Sequence, residues 1–512
     1  MQYDIIFVSG ETFFDHPLSG IAILKRLLEK YGYTVGVIEI PTTEEEIKRL
    51  GKPKLFFGVS SGAVDSMVKN YTPLKKLRSE DPYAENNNES DKYAPDRAVT
   101  VYSNWIKKNF KDSLIVLGGT EASLRRFVHY DYWQNRLRKS ILFDSRANVL
   151  VYGNGEKQIL EIARRVTEQL PLEAIEGTCI ISRILPAGFQ ELPSEEEVTA
   201  SKEKFCDMQL LLNNYTNLAQ KTGQRYILQY KSPTYTPKDL DEYYELPFTR
   251  KIPCKNLRGF EFSVVTHRGC IGNCNFCALK LIQGDKIISR SEESILKEIG
   301  KFARLPYFKG NVDDLGGATA NMYGMDCHKC HKECLDCKTL NRSHARLLNL
   351  LRKAREIPGI KNVYIRSGVR YDLAPKEYIK EIAKYHTYDT IRIAPEHVNK
   401  KVLQLMNKDR GNFKEFLEFF RGLHCGKKLS YYFITAHPGS GIKEAQELAT
   451  AIKGLNNVYL QVFTPTPMTV STCMYHTGLD PNSKKEIHIP YTYLEKKEQK
   501  RAGLRVLEKF SS

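Results

Sequence analysis

Three cysteines, Cys270, Cys274 and Cys277, fall within eight residues in the stretch RGCIGNCNFCALK. Three is odd and the spacing is too tight for disulfide staples. A structural zinc takes four ligands. An iron–sulfur cube also takes four, unless one iron is left open. Cys254 lies sixteen residues upstream and Cys327 fifty downstream, so neither is a local fourth ligand. Spaced C-x3-C-x2-C, the triplet suits three irons of a 4Fe–4S cube whose fourth iron takes a ligand from outside the chain.

A second group, Cys327, Cys330, Cys334 and Cys337, is spaced C-x2-C-x3-C-x2-C. Thiolates this close repel one another once ionised, so a cation is expected among them. Zinc in a closed tetrahedral site and an auxiliary iron–sulfur cluster are the two candidates. The interleaved His328 and His331 are expected to face solvent.

Seven of the twelve cysteines lie in these two groups, which suits a reducing compartment. The first residues, MQYDIIFVSG, enter a strand-like run directly, without the basic-then-apolar pattern of a secretory signal. No stretch approaches the ~20 apolar residues of a membrane helix. A cytoplasmic, membrane-free protein is therefore expected. The excess of 77 basic over 60 acidic residues gives a net charge of +17. That permits a polyanionic partner such as RNA, yet the lysines are scattered and no dense basic run appears.

The elements that must position these groups are legible as alternating periodicities. DIIFV (4–8), GIAILKRLLEKYGY (20–33) and TVGVIEI (34–40) read as strand, helix, strand. KLFFGVSSG (54–62), SLIVLGGTEAS (113–123) and NVLVYGNGEKQ (148–158) repeat the pattern of apolar strand, small residue and helix. The predicted fold class is α/β, with a doubly wound domain over 1–185 interrupted by a polar loop at 78–98. Residues 186–258 are rich in Pro, Tyr and charge and read as a connecting segment. FEFSVVTHRGC (260–270) opens a second series, with strands near 310–315, 361–367, 389–394, 430–436 and 457–463. This predicts a partial or complete β/α barrel over 259–483, carrying a Cys-rich insertion at 325–341. A basic tail, 484–512, is expected to end in a helix.

The cysteine triplet, with Phe276 before its third member, resembles the motif of the radical S-adenosylmethionine enzymes. That resemblance implies a cluster whose open iron is chelated by the amino and carboxylate groups of S-adenosylmethionine. It further implies reductive cleavage to a 5′-deoxyadenosyl radical that abstracts hydrogen from a substrate. Phe276 matches the aromatic that lies near the adenine. In DDLGGATANMYG (313–324), Gly316 and Gly317 match the turn whose backbone meets the aminocarboxylate, while Ala318 stands where an acidic residue is usual. VFTPTPMT (462–469) resembles the family's closing strand. Together with FVSGETFFDHPLSGIAI and IRSGVRYDLA (365–374), these stretches look like the YgiQ-type radical S-adenosylmethionine family, from about residue 4 to about 480. The resemblance implies a cobalamin-binding-like fold for the N-terminal domain and an electron donor such as flavodoxin or ferredoxin. It leaves the substrate open.

Other segments give further expectations. Ser367 and Arg370 in IRSGVRYD are assigned to cofactor binding, with Arg366 beside them, and Glu396 and His397 stand at the next strand end. In DHPLSG, His16 precedes Gly20 by four residues, whereas a cobalamin lower-ligand motif needs three, so a turn capped by Asp15 or Ser19 is expected. GGTEASLRR (118–126) suggests an anion cradle at a helix start. The function expected is radical chemistry on a substrate held between residues 10–16, 118–123 and the Arg366–Arg370 strand end. A metal-stabilised RNA-binding protein and an RNA-modifying radical enzyme are the alternatives.

Overall fold

The computed structural model describes residues 2–78, 94–253, 257, 259–327, 330 and 334–508. Its N-terminal half is built on β1 (Ile5–Ser9), β2 (Val35–Glu39), β3 (Phe56–Ser60), β4 (Leu114–Leu117) and β5 (Val149–Val151). These strands are parallel, in the order β2-β1-β3-β4-β5. Their near-continuous apolar sequences follow from burial on both faces. Ile5, Phe7, Phe56 and Val116 pack under the helices Gly20–Lys30 and Glu156–Thr167, through Ile21, Leu28, Ile159 and Ile162. On the opposite face Ile6, Val8, Phe57 and Ile115 meet Val99, Tyr102 and Ile106 of the helix Ala98–Asn109. Ser19 caps Gly20–Lys30, its hydroxyl accepting from Ala22 N.

The sheet does not stop at residue 185. β6 (Thr178–Ser182) runs antiparallel to β5, and β7 (Gln190–Leu192), β8 (Leu218–Thr222) and β9 (Arg225–Gln229) complete nine strands in the order β2-β1-β3-β4-β5-β6-β9-β8-β7. The segment expected to be a connector over 186–258 therefore supplies three strands. These strands are short and mix polar with apolar residues, as LAQKT and RYILQ show, so no apolar run announces them even though most of their residues are buried.

The second half is an arc of parallel strands: β10 (Ser263–Val265), β11 (Asn311–Val312), β12 (Asp314–Gly316), β13 (Asn362–Val363), β14 (Thr390–Glu396), β15 (Lys428–Thr435) and β16 (Val458–Val462). β11 and β12 follow one another along a single path, which pairs with β10 on one side and β13 on the other. A bridge between Val369 and Ile393 carries the arc on to β14, β15 and β16. Among the described residues no pairing joins β16 back to β10, so this is a partial barrel. The expected basic tail is part of it. Helix Tyr493–Glu508 packs on helix Ile442–Ala451 and β16. Lys496 Nζ also reaches across to the hydroxyls of Tyr132 (3.0 Å) and Tyr475 (2.7 Å).

The two halves share one core. Phe57, Leu117 and Phe127 of the first belong to the same buried cluster as Leu281, Phe463, Tyr475 and Ile489 of the second.

Candidate functional site

β10 delivers the chain through Thr266, His267 and Arg268 into the loop of Cys270, Cys274 and Cys277, which runs on into helix Leu279–Gln283. Backbone bonds from three directions fix that loop. Asn275 N donates to Met406 O (2.9 Å), Asn275 O accepts from Ser471 N (2.9 Å), and Asn273 O accepts from Asn407 Nδ2 (2.9 Å). Cys277 N closes the turn on Cys274 O at 3.1 Å.

Two of the three thiols are held in their protonated form by their surroundings. Burial pushes the Cys277 thiol up to about 12, and the nearby Cys274 and Cys270 push it the same way. Burial also raises Cys274, against the pull of Lys408 and Arg370. Cys270 is buried and Cys274 and Cys277 are half-buried, and Lys408 and Arg370 beside them would offset the charge of thiolates bound to a cluster. Arg370 Nη1 donates to Cys274 Sγ at 3.6 Å while its Nε holds Asp372 Oδ1 at 2.9 Å. Gly272 N donates to Cys270 Sγ at 3.4 Å, and Thr319 Oγ1 lies 3.9 Å from the same sulfur. A Cβ on Gly272 would stand 2.5 Å from Arg370 Nη1 and 3.2 Å from Cys270 Sγ, so the loop leaves no room for a side chain there. Cys254 lies outside the described residues. Phe276 is half-buried, with its ring edge-on to His437 at 6.4 Å.

Gly316 ends β12 beside Val265. A Cβ on Gly317 would lie 2.6 Å from the His267 ring, so this glycine is a packing requirement. Asp314 ties the turn to the next strand end, accepting from Arg366 N (2.8 Å), Ser367 N (3.2 Å) and the Ser367 hydroxyl. The residues assigned to the cofactor thus divide. Phe276 and Arg370 stand with the cysteines, whereas Gly316, Gly317 and Ser367 border a cavity, and Thr319 links the two places.

That cavity, of about 480 Å³, lies between the halves of the molecule. Ser263, Asp314, Gly316 and Ser367 form its barrel side; Glu11, Ser60, Gly118 and Gly119 approach from the strand ends of the N-terminal sheet. Its size is that of a small-molecule site. Arg268 Nη2 bridges the halves to Glu156 Oε1 at 2.7 Å, with both side chains buried. Burial pushes His267 down to about 4, so it is neutral at physiological pH. The Thr266 hydroxyl lies 3.1 Å from Gly316 O and 2.8 Å from His267 Nδ1 and so ties the ring to the glycine turn. The ring Nε2 is buried beside the Gly317 turn. Glu11, Glu156, His267 and Arg268 were not singled out from sequence. His267 and Arg268 directly precede the first cysteine, which was the available signal.

The remaining expectations resolve individually. His16 has both ring nitrogens engaged, Nδ1 by Leu18 N (3.1 Å) and Nε2 by Glu261 O (2.9 Å), and so pins the β1 loop to the barrel entry. GGTEAS forms only the five-residue helix Gly119–Ser123, whose Glu121 turns inward to Ser66. Glu396 sits at the irregular end of β14 with a left-handed backbone (φ 69°), and burial pushes its carboxyl up to about 7. His397 Nδ1 accepts from Asn399 N at 3.0 Å. In the second cysteine group, Cys327, Cys334 and Cys337 pack in the apolar cluster that holds Cys270, while Cys330 is exposed. Cys334 Sγ accepts from Lys286 Nζ at 3.2 Å. His328 and His331 lie outside the described residues.

Comparison with known proteins bears on this arrangement. The family profile described as Radical SAM N-terminal matches residues 1–259, and that of the Radical SAM superfamily matches 264–452. A UPF0313 protein of Methanocaldococcus jannaschii is 45% identical, over 98% of this chain and 89% of its own length. One from Geobacter sulfurreducens is 42% identical over the same shares. Among solved structures, the radical S-adenosylmethionine methyltransferase TsrM from Kitasatospora setae is similar with a TM-score of 0.55 at 16% identity, covering 92% of this chain and 76% of that one. The cobalamin-dependent radical enzyme OxsB is similar with a TM-score of 0.52 at 12% identity, covering 92% and 55%. At such identities these two likenesses concern the fold.

Proposed function

Because the chain belongs to the UPF0313, YgiQ-type family of radical S-adenosylmethionine proteins, we propose that it is an enzyme abstracting hydrogen from a small polar substrate held in the cavity between its halves. The observation that carries this reading is the Cys270, Cys274 and Cys277 loop next to a cavity of about 480 Å³, whose wall includes Ala318, the neighbour of the Thr319 that lies 3.9 Å from Cys270 Sγ. When bound, a 4Fe–4S cluster with S-adenosylmethionine supplies one-electron cleavage of the cofactor and a 5′-deoxyadenosyl radical.

The chain's own residues do the rest. The three cysteines hold three irons, and Arg370 and Lys408 offset the charge of their thiolates. The Gly316–Gly317 turn lets backbone approach the cofactor, and Phe276 and Ser367 flank it. The substrate lies against Asp314 and Ser367, under the N-terminal strand ends, with water excluded so that the radical is not lost to solvent. A bound cluster would need an external one-electron donor, for which the flavodoxin or ferredoxin class is the candidate. Cys327, Cys330, Cys334 and Cys337 form a second metal site, with zinc or an iron–sulfur cluster. Cobalamin, named for OxsB, forms no part of this proposal, because His16 is committed to backbone partners on both sides.

The test is anaerobic reconstitution with iron and sulfide, reduction, and assay for 5′-deoxyadenosine. Its formation by wild-type protein and not by Cys270→Ala is expected. Protein carrying four irons that makes none would overturn the proposal.

A further inference from the structure

Away from both cysteine groups, two sulfurs separated by 267 residues of chain lie in contact. Cys473 Sγ is 3.7 Å from Cys206 Sγ. Cys206 stands in helix Lys202–Leu211, which leads into the N-terminal sheet, and Cys473 in helix Val470–Thr477, which follows the last barrel strand. Both are buried, at 0% and 1% exposure. The two are not alike. The hydrogen bond from Cys473, with help from Thr477 and the Lys484 ammonium, holds the Cys206 thiol down to about 7 against its burial. Burial drives the Cys473 thiol up. One sulfur is thus a ready thiolate and the other keeps its proton, the pairing that attack followed by resolution requires.

We propose that Cys206 and Cys473 form an oxidisable dithiol that closes to a disulfide on meeting a peroxide. The Cys206 thiolate attacks one peroxide oxygen, the O–O bond breaks, hydroxide leaves and a sulfenic acid remains. The Cys473 sulfur then attacks Cys206 Sγ. The S–O bond breaks as the S–S bond forms, and the departing oxygen takes the Cys473 proton and leaves as water. Two sulfurs lose two electrons in all and the peroxide gains them. The sulfurs must approach by roughly 1.7 Å to reach bonding distance. With 0% and 1% exposure the pair favours an oxidant as small as hydrogen peroxide over bulky disulfides such as oxidised glutathione.

The position gives the bond a consequence. Ser471, two residues before Cys473 in the same helix, donates its N–H to Asn275 O at 2.9 Å, inside the Cys270–Cys277 loop. Its hydroxyl bonds His437 Nε2 at 2.7 Å, against whose ring Phe276 stands. Drawing Cys473 toward Cys206 moves the helix that fastens this loop, so oxidation at the pair is felt at the oxygen-sensitive end of the molecule. The dithiol itself does not depend on the function proposed above.

The test uses anaerobically reconstituted holoprotein treated with a few equivalents of hydrogen peroxide, blocked with N-ethylmaleimide in denaturant and digested without reduction. A peptide pair joining Cys206 to Cys473 is expected in wild type, absent from Cys206→Ser and absent after oxidised glutathione. In Cys473→Ser, Cys206 is expected to stop at the sulfenic acid and to be trapped by dimedone. Recovery of both cysteines carrying N-ethylmaleimide after the peroxide is consumed would overturn the proposal. Hydrogen exchange at the Ser471 amide reads the coupling: at least a threefold change on oxidation is expected, and a disulfide that leaves it unchanged would refute the link to the loop.

Discussion

Arg370 directs one guanidinium nitrogen at the Cys274 sulfur from 3.6 Å. A fixed positive charge at that distance favours added electron density on whatever the sulfur binds, because cluster potentials follow local charge and hydrogen bonding. Replacing Arg370 by Gln, together with Asp372→Asn so that no carboxylate is stranded, should leave iron content unchanged. The midpoint potential should become more negative by on the order of tens of millivolts. Titration followed by electron paramagnetic resonance measures this, and an unchanged potential would remove Arg370 from the role.

The ligand assignment makes a sharp contrast between two alanine variants. Cys270→Ala should lose the broad visible absorbance of the cluster, and Cys254→Ala should keep it. Equal loss in both would mean a fourth protein ligand and no open iron.

Gly317→Ala places a methyl where the His267 ring stands, 2.6 Å from its nearest atom. Overpacking of this kind costs ~1–3 kcal/mol, and the strain falls on the turn rather than on the cysteine loop. The cluster should assemble normally while S-adenosylmethionine binds about tenfold more weakly, as equilibrium dialysis would read.

Asp313 predicts a pH dependence of stability. Burial pushes its carboxyl up to about 6 from the ordinary 3.8, with Glu261 and Asp314 adding repulsion. The folded state therefore holds this proton more tightly than the unfolded chain does. Its contribution is fully present below pH 3.8 and is lost as the pH rises through about 6. Asp313→Asn should flatten that decline, gaining on the order of 1 kcal/mol at pH 7 relative to pH 4, after allowance for the solvent that reaches the group. Denaturant unfolding at the two pH values checks the sign.

Metal analysis addresses the second cysteine group. Anaerobically purified protein should carry either one zinc or iron well beyond four per chain. Four irons with no zinc would leave Cys327, Cys330, Cys334 and Cys337 without a metal.

What could be read in the sequence follows from how locally each feature is encoded. The cysteine loop was legible because its three ligands lie within one turn of chain, and β1 to β5 were legible because burial on both faces makes apolar runs. β7, β8 and β9 were not, since short strands such as LAQKT bury polar residues, Gln220 and Thr222 among them, and so break the apolar run that would mark them. The cavity was half legible. Ser367 and the Gly316–Gly317 turn came from a motif, whereas Glu156 and Arg268 meet only because the topology stacks one half on the other. Removing residues 1–185, the doubly wound domain expected from sequence, would cut into packing that both halves share. The shared packing of Phe57 and Leu117 with Phe463 and Tyr475 makes that cut a wound in the core of the remainder.

That continuity also determines how a substrate gets in. Two bodies joined by a linker open like a shell, and a guest enters when the hinge swings. Here Lys496 clamps Tyr132 to Tyr475, and Arg268 is locked to Glu156 across the seam. Hinge opening would expose a common interior and strand a buried ion pair, which alone costs ~3–5 kcal/mol when one partner is lost. A substrate in the proposed cavity would then have to pass loops at its rim rather than a hinge between the halves.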